Sequence, residues 1–245
     1  FLASDMDGNS TFNTTWTSEY TFPNGSGREW TTVPESTRTS VPNMNVLRGS
    51  NSANCKFRPE TSTTPPFIDF SDPGNGVLTS AGGLAGALDW MIDATDIEII
   101  YVARPLASNT IGGLMSLVNN RYVIAHDLRP ASPNRCYAYS NIGQASTILS
   151  AAETFPLMKG IMVGSYRWIA GDRTYLTNEA GVEFAGGTVA SASSVAGEVQ
   201  FIALGSAFIG YYDGGIHAAL LYDRSLTTQE RLDTFAELRA RFEDY

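Results

Sequence analysis

Asp96-Ile97-Glu98 sets two carboxylates on one face of an extended strand, because side chains repeat every second residue. Paired acids of this kind serve glycoside hydrolysis, where one protonates the leaving oxygen and the other attacks or activates water. The retaining pattern needs a further acid on that face, where Ile100 stands, and Asp96 at the strand's start reads as a solvated turn residue. Glu153, Glu179, Glu183 and Glu198 fall in loops or hairpins with no visible partner. No Gly-x-Ser-x-Gly elbow occurs. His217, mid-strand among small apolar residues, reads as a neutral packed histidine, and His126 before Asp127 reads as held by a local hydrogen bond. Two cysteines and two histidines with no Cys-x-x-Cys or His-x-x-x-His spacing do not build a zinc site. The reading leans away from catalysis.

Binding chemistry has more candidates. Asp5-Met6-Asp7-Gly8-Asn9 opens like a calcium loop, but its glycine falls early and Trp16 stands where the twelfth-position glutamate belongs. Asp69, Asp72 and Asn75 gather around a turn and offer hard oxygens, so the cofactor expectation is none, or calcium at these three. A sugar needs a flat aromatic face against its apolar side, with amides or carboxylates in reach of its hydroxyls. Tyr211-Tyr212-Asp213 in a loop, Tyr137 and Tyr139 with Asn141, and Trp168 with Asp172 meet that description. Tyr137 and Tyr139 share a strand face and can form a platform, although alternating tyrosines also line the face of any β sandwich. The sequons at Asn9, Asn13 and Asn24 carry sugar only on a eukaryotic secretory route.

Composition bounds the elements that position these residues. The 245 residues carry 16 Lys+Arg against 25 Asp+Glu, a formal net charge of -9. With lysine only at Lys56 and Lys159 and scattered arginines, the chain lacks the clustered cations that bind phosphate, so no nucleic-acid partner is expected. No apolar run reaches the ~20 residues of a spanning helix, so no membrane insertion is expected. A hydrophobic content of 43% with 11% aromatic residues supplies a core. The start at Phe1 reads as that of a processed form or fragment, and no basic-then-apolar leader follows it. Cys55 and Cys136 form either one disulfide or two buried thiols.

Residues 1–66 are rich in Ser, Thr, Asn and Pro and read as a segment that wraps the domain or serves as an assembly arm. From Phe67 the pattern is strand-like. Phe67 to Phe70 alternates and stops at Asp72-Pro73-Gly74-Asn75-Gly76. Ile97 to Ala103 reads as a central strand ending at Arg104-Pro105. Arg121–Ala125, Arg135–Ser140, Gly160–Ile169 and Val199–Leu204 read as further strands, and Asn178 to Gly181 as a four-residue hairpin loop. At the end, Thr227 and Glu230 form a capping box. Leu232, Phe235, Leu238 and Phe242 then recur at helical spacing, with Arg231, Glu237 and Arg239 expected in solvent and the helix covering an end or edge. The fold class expected is all-β, a two-sheet antiparallel sandwich with a short C-terminal α-helix.

Residues 210–231, GYYDGGIHAALLYDRSLTTQER, resemble the closing segment of concanavalin A-like lectin/glucanase jelly rolls of the laminin-G-like type. Ile97 to Pro105 is similar to that family's central strand, and Arg173 to Gly181 to one of its hairpins. The resemblance spans residues 67–245 and implies a laminin-G-like jelly roll. Within this superfamily sugar binders, glycosidases, lyases, adhesion modules and virion proteins share one fold. The expected function is a non-catalytic module that binds a polysaccharide, glycoconjugate or cell surface at an extracellular or virion surface, as a homo-oligomer or part of a larger appendage. The alternatives are a structural surface-assembly subunit and a polysaccharide-degrading enzyme.

Overall fold

The computed structural model describes residues 31–32, 46–49, 56–58, 62–65, 67–70, 78–80, 95–105, 111–117, 122–127, 135–140, 146–149, 160–188, 202–204, 206–207, 210–222 and 224–243. Among these, one sheet of seven strands runs in the order β13 (Glu183–Thr188), β12 (Arg173–Asn178), β11 (Met162–Ile169), β6 (Asp96–Pro105), β17 (Gly214–Tyr222), β4 (Phe67–Asp69), β3 (Lys56–Arg58). The second sheet, of ten strands, runs β1 (Thr31–Thr32), β2 (Val46–Gly49), β5 (Leu78–Ser80), β14 (Ile202–Leu204), β7 (Ile111–Leu117), β8 (Tyr122–Asp127), β9 (Arg135–Ser140), β10 (Ser146–Leu149). Its remaining strands are β15 (Ser206–Ala207) and β16 (Gly210–Tyr211), which pair with each other, β16 also lying parallel to β7. Pairing is otherwise antiparallel except between β1 and β2. The chain is an all-β sandwich of two sheets with one helix, α1 (Thr228–Glu243), among the described residues. That helix is not long and apolar enough to cross a membrane.

The strand expected at the centre is central: β6 has three strands on either side and is buried from Ile97 to Ala103. Directly opposed residues share a face of a sheet, so the register divides β6 in two. Ile97, Ile99 and Tyr101 oppose Trp168, Tyr166, Leu221 and Ala219, and Tyr101 reaches Cys136 of the other sheet, which makes this the inner face. Glu98 and Ile100 oppose Tyr222 and Leu220 on the outer face.

The outer face is where α1 lies, and this corrects the expectation that the helix covers an end or edge. Phe235, Leu238 and Phe242 are buried there, each contributing roughly 1.5–3 kcal/mol by leaving water. The capping box forms as read, with the Glu230 amide donating to Thr227 Oγ1 at 3.2 Å and the Thr227 amide to Glu230 at 2.8 Å. Arg231 and Arg239 are buried rather than solvated, because acids of the sheet stand beneath them. Arg231 forms a bidentate pair with Glu98, and Arg239 pairs with Glu179 in the β12–β13 hairpin.

A bulge interrupts the alternation of β17. The register with β6 shifts between Ile216, opposite Ala103, and Ala218, opposite Val102. His217 is the extra residue, so Ile216 goes to the inner face while Ala218, Leu220 and Tyr222 stay on the outer one. His217 is buried as a packed histidine between the rings of Phe67 and Phe242.

Candidate functional site

The Asp96/Glu98 pair holds a corner of the fold. Asp96 Oδ2 accepts the Ser225 amide at 2.6 Å, and Glu98 Oε2 accepts the Leu226 amide at 2.8 Å while the same carboxylate grips Arg231. The two acids do share a face, as period two dictates, but Asp96 is tied into the corner rather than solvated and Glu98 is fully buried under α1.

Between the sheets lies a polar cluster. His126 Nδ1 and the Tyr212 hydroxyl are 3.2 Å apart with the rings edge to face, Tyr101 meets Cys136 Sγ at 3.3 Å, and Cys136 in turn meets Met162 Sδ at 3.6 Å. Burial lowers the His126 pKa to about 3 and pushes the Cys136 thiol up to about 12, and it raises the Tyr101 and Tyr212 hydroxyls well above their ordinary range. His126 is therefore held across the sandwich by Tyr212, not by its neighbour Asp127 as the sequence suggests. Cys136 is a buried thiol, which leaves the disulfide reading without support, and Cys55 lies outside the described residues.

Tyr212 belongs to the segment that carries the chain from one sheet to the other. Tyr211 pairs with Gly113 and Ser206 in the ten-stranded sheet, whereas Gly214 opposes Pro105 in the seven-stranded one. The crossover is tight. A Cβ at Gly214 would collide with the Arg104 carbonyl oxygen and the Tyr212 ring, and one at Gly215 with the Phe67 ring. Phe70 donates its amide to the Gly214 carbonyl at 2.9 Å, and Tyr212 fills the interior at 1% exposure. Asp213 is fixed between these two anchors and remains partly exposed. Gly215 opposes Asp69, which brings the Asp69 carboxylate up beside it. Partial desolvation, then the Asp69 charge, raises the Asp213 pKa.

This corner joins residues that the sequence left in separate groups: Asp69 from the calcium set and Asp213 from the sugar set. Asp72 and Asn75 lie outside the described residues, as does the opening loop at Asp5. Asp69 and Asp213 alone fall short of the about six to eight oxygens that calcium takes, and no group of three or more His, Cys, Asp or Glu comes together among the described residues. The described residues do not make that metal site.

The remaining sugar candidates separate. Tyr212 and Trp168 are corrections: both are buried in the core, Trp168 against Ile97 and Thr174 on the inner face, so neither ring offers a stacking surface. Tyr137, opposite to Cys136 in its facing, lies on the outer side of β9 and donates to Asp127 Oδ2 at 3.0 Å. Tyr139 lies two residues on in the same strand, its side chain outside the described residues, as is Asn141. Asp172 is exposed and parted from Trp168, and it accepts the Tyr175 hydroxyl at 2.9 Å. Tyr175 and Arg167 were not singled out in the sequence, though the alternation of β12 about Leu176 places Tyr175 outward.

No protein-family model and no curated protein matches the chain. Solved structures share the fold. Domain 4 of AbnA, a GH43 extracellular arabinanase from Geobacillus stearothermophilus, in complex with arabinotriose, is 11% identical with a TM-score of 0.54, over 93% of this chain and 99% of that one. The binding domain of Botulinum neurotoxin DC in complex with rat synaptotagmin II is 12% identical with a TM-score of 0.55, over 96% of this chain and 52% of that one. The same toxin domain in complex with SialylT gives 10% and 0.55 over 78% and 46%. The chain thus spans about half the length of the toxin domains it matches. At these identities the likeness is one of fold, the two-sheet β sandwich.

Proposed function

We propose that the chain is a carbohydrate-binding module of an extracellular assembly, and that it takes an uncharged, hydroxyl-rich saccharide at the crossover corner around Asp213. The observation that carries this reading is the fixing of Asp213 between buried Tyr212 and hydrogen-bonded Gly214, beside Asp69. Carboxylates held in place accept sugar hydroxyls without a further ordering cost, and two of them together repel an acidic sugar. The arabinotriose complex of a structurally similar domain supports a ligand of this class. Tyr211, Tyr137, Tyr139 and Asn141 stay candidates for the aromatic and amide contacts.

A glycan array followed by calorimetry tests the reading. Asp213→Asn is expected to weaken the best neutral glycan about tenfold or more, the loss of a charged hydrogen bond worth roughly 1.5–3 kcal/mol. Absence of any bound glycan at millimolar concentration, or equal affinity in Asp213→Asn, would count against it.

A further inference from the structure

A second surface has the chemistry of a sugar subsite, on the outer face of the seven-stranded sheet. Tyr175 stands there opposite Arg167 and Ala185. The Arg167 guanidinium sits 4.4 Å from the Tyr175 ring centroid, a cation–π contact, and is itself held by Glu183 at 2.8 Å. The Tyr175 hydroxyl is tied to Asp172, whose hydrogen bond raises the tyrosine's pKa. The ring is therefore held from two directions and stays partly exposed.

Its neighbourhood is open. β13, beyond it, presents Ala185, Gly186 and Gly187, so nothing bulkier than a methyl group flanks the ring on that stretch. At the tip of the β11–β12 hairpin, where Gly171 takes a φ of 71°, Asp172 and Arg173 are exposed. Arg173 forms no ion pair among the described residues and lies close enough to Tyr175 to affect its charge.

We propose that Tyr175, Asp172 and Arg173 form a subsite for a carboxylate-bearing pyranose. The apolar face of the sugar stacks on Tyr175, its carboxylate pairs with the Arg173 fork, and a hydroxyl donates to Asp172. A guanidinium matches a carboxylate in two parallel hydrogen bonds, whereas the corner at Asp69 and Asp213 repels one. The inference rests on reading the chain as a sugar-binding module but not on the corner as its site.

A uronate-containing tetrasaccharide and its carboxyl-reduced neutral counterpart, titrated by calorimetry into the wild-type chain and single variants, test it. The acidic sugar is expected to bind at least about tenfold more weakly to Tyr175→Ala and to the exposed Arg173→Ala, and within about threefold of wild type to Tyr175→Phe, which keeps the ring. Carboxyl reduction should cost wild type a comparable factor and Arg173→Ala almost nothing. Equal binding of the acidic sugar by wild type, Tyr175→Ala and Arg173→Ala would overturn the subsite. Failure of wild type to bind it, while neutral glycans still bind the corner, would overturn the subsite and leave the module reading standing; loss of all glycan binding would overturn both.

Discussion

At the scale of single residues, the titratable groups with the most chemical promise are spent on holding the fold. His126 is the clearest case. An unfolded histidine charges near pH 6.5, whereas this one, dry and facing Tyr212, charges only near 3. Between those values the unfolded chain binds the proton and the folded chain does not. The stability it contributes is therefore complete above about pH 6.5 and is lost as pH falls toward 3, at up to ~1.4 kcal/mol per pH unit. Denaturant midpoints followed downward from neutral pH should fall more steeply in wild type than in His126→Phe, and parallel curves would contradict a neutral buried His126. The sequence made the packed nature of His217 legible, because small apolar neighbours surround it. It did not reveal the partner of His126, since Tyr212 lies 86 residues away and a single chain records no such distance.

At the scale of elements, the C-terminal helix was legible in its start and its apolar spacing but not in its polar contacts. Thr227 and Glu230 cap it as read, and Arg224 with Thr227 holds the Glu230 carboxyl down at about 2. Phe235, Leu238 and Phe242, with half-buried Leu232 beside them, define the apolar stripe, but Arg231 is buried with that stripe because Glu98 waits beneath it. A basic residue looks solvent-facing until the sheet supplies its acid. Arg231→Leu should cost about 3–5 kcal/mol by leaving Glu98 buried and unmatched, and Glu98→Leu added to it should recover much of that loss. A double-mutant cycle by chemical denaturation reads both. In the β12–β13 hairpin, the loop read over Asn178 to Gly181 closes on a left-handed Gly181, with φ 80° and its amide bonded to the Asn178 carbonyl at 2.9 Å. Gly181→Ala should destabilise by about 1 kcal/mol or more, because a Cβ there is strained and would press on Leu232 at 3.2 Å. The bulge at His217 stayed invisible, since a strand that is apolar on both faces shows no break in its alternation.

At the scale of the molecule, the sandwich follows from strands β6 and β17 being apolar on both sides: one side needs a second sheet and the other needs α1. The closing motif of residues 210–231 carries both the crossover corner and the helix entry, which is why it spoke for the fold. The same density of packing explains why aromatic residues mislead as ligand candidates: Trp168 and Tyr212 are core, and only position in three dimensions separates them from Tyr175. The account stands on the corner at Asp213 as a sugar-accepting surface. Backbone amide chemical-shift mapping with the best neutral glycan from the array tests it most directly. The account predicts that the largest shifts fall on Tyr212 to Gly215 and on Asp69 and Phe70; shifts confined to other surfaces, with those residues unmoved at saturation, would contradict it.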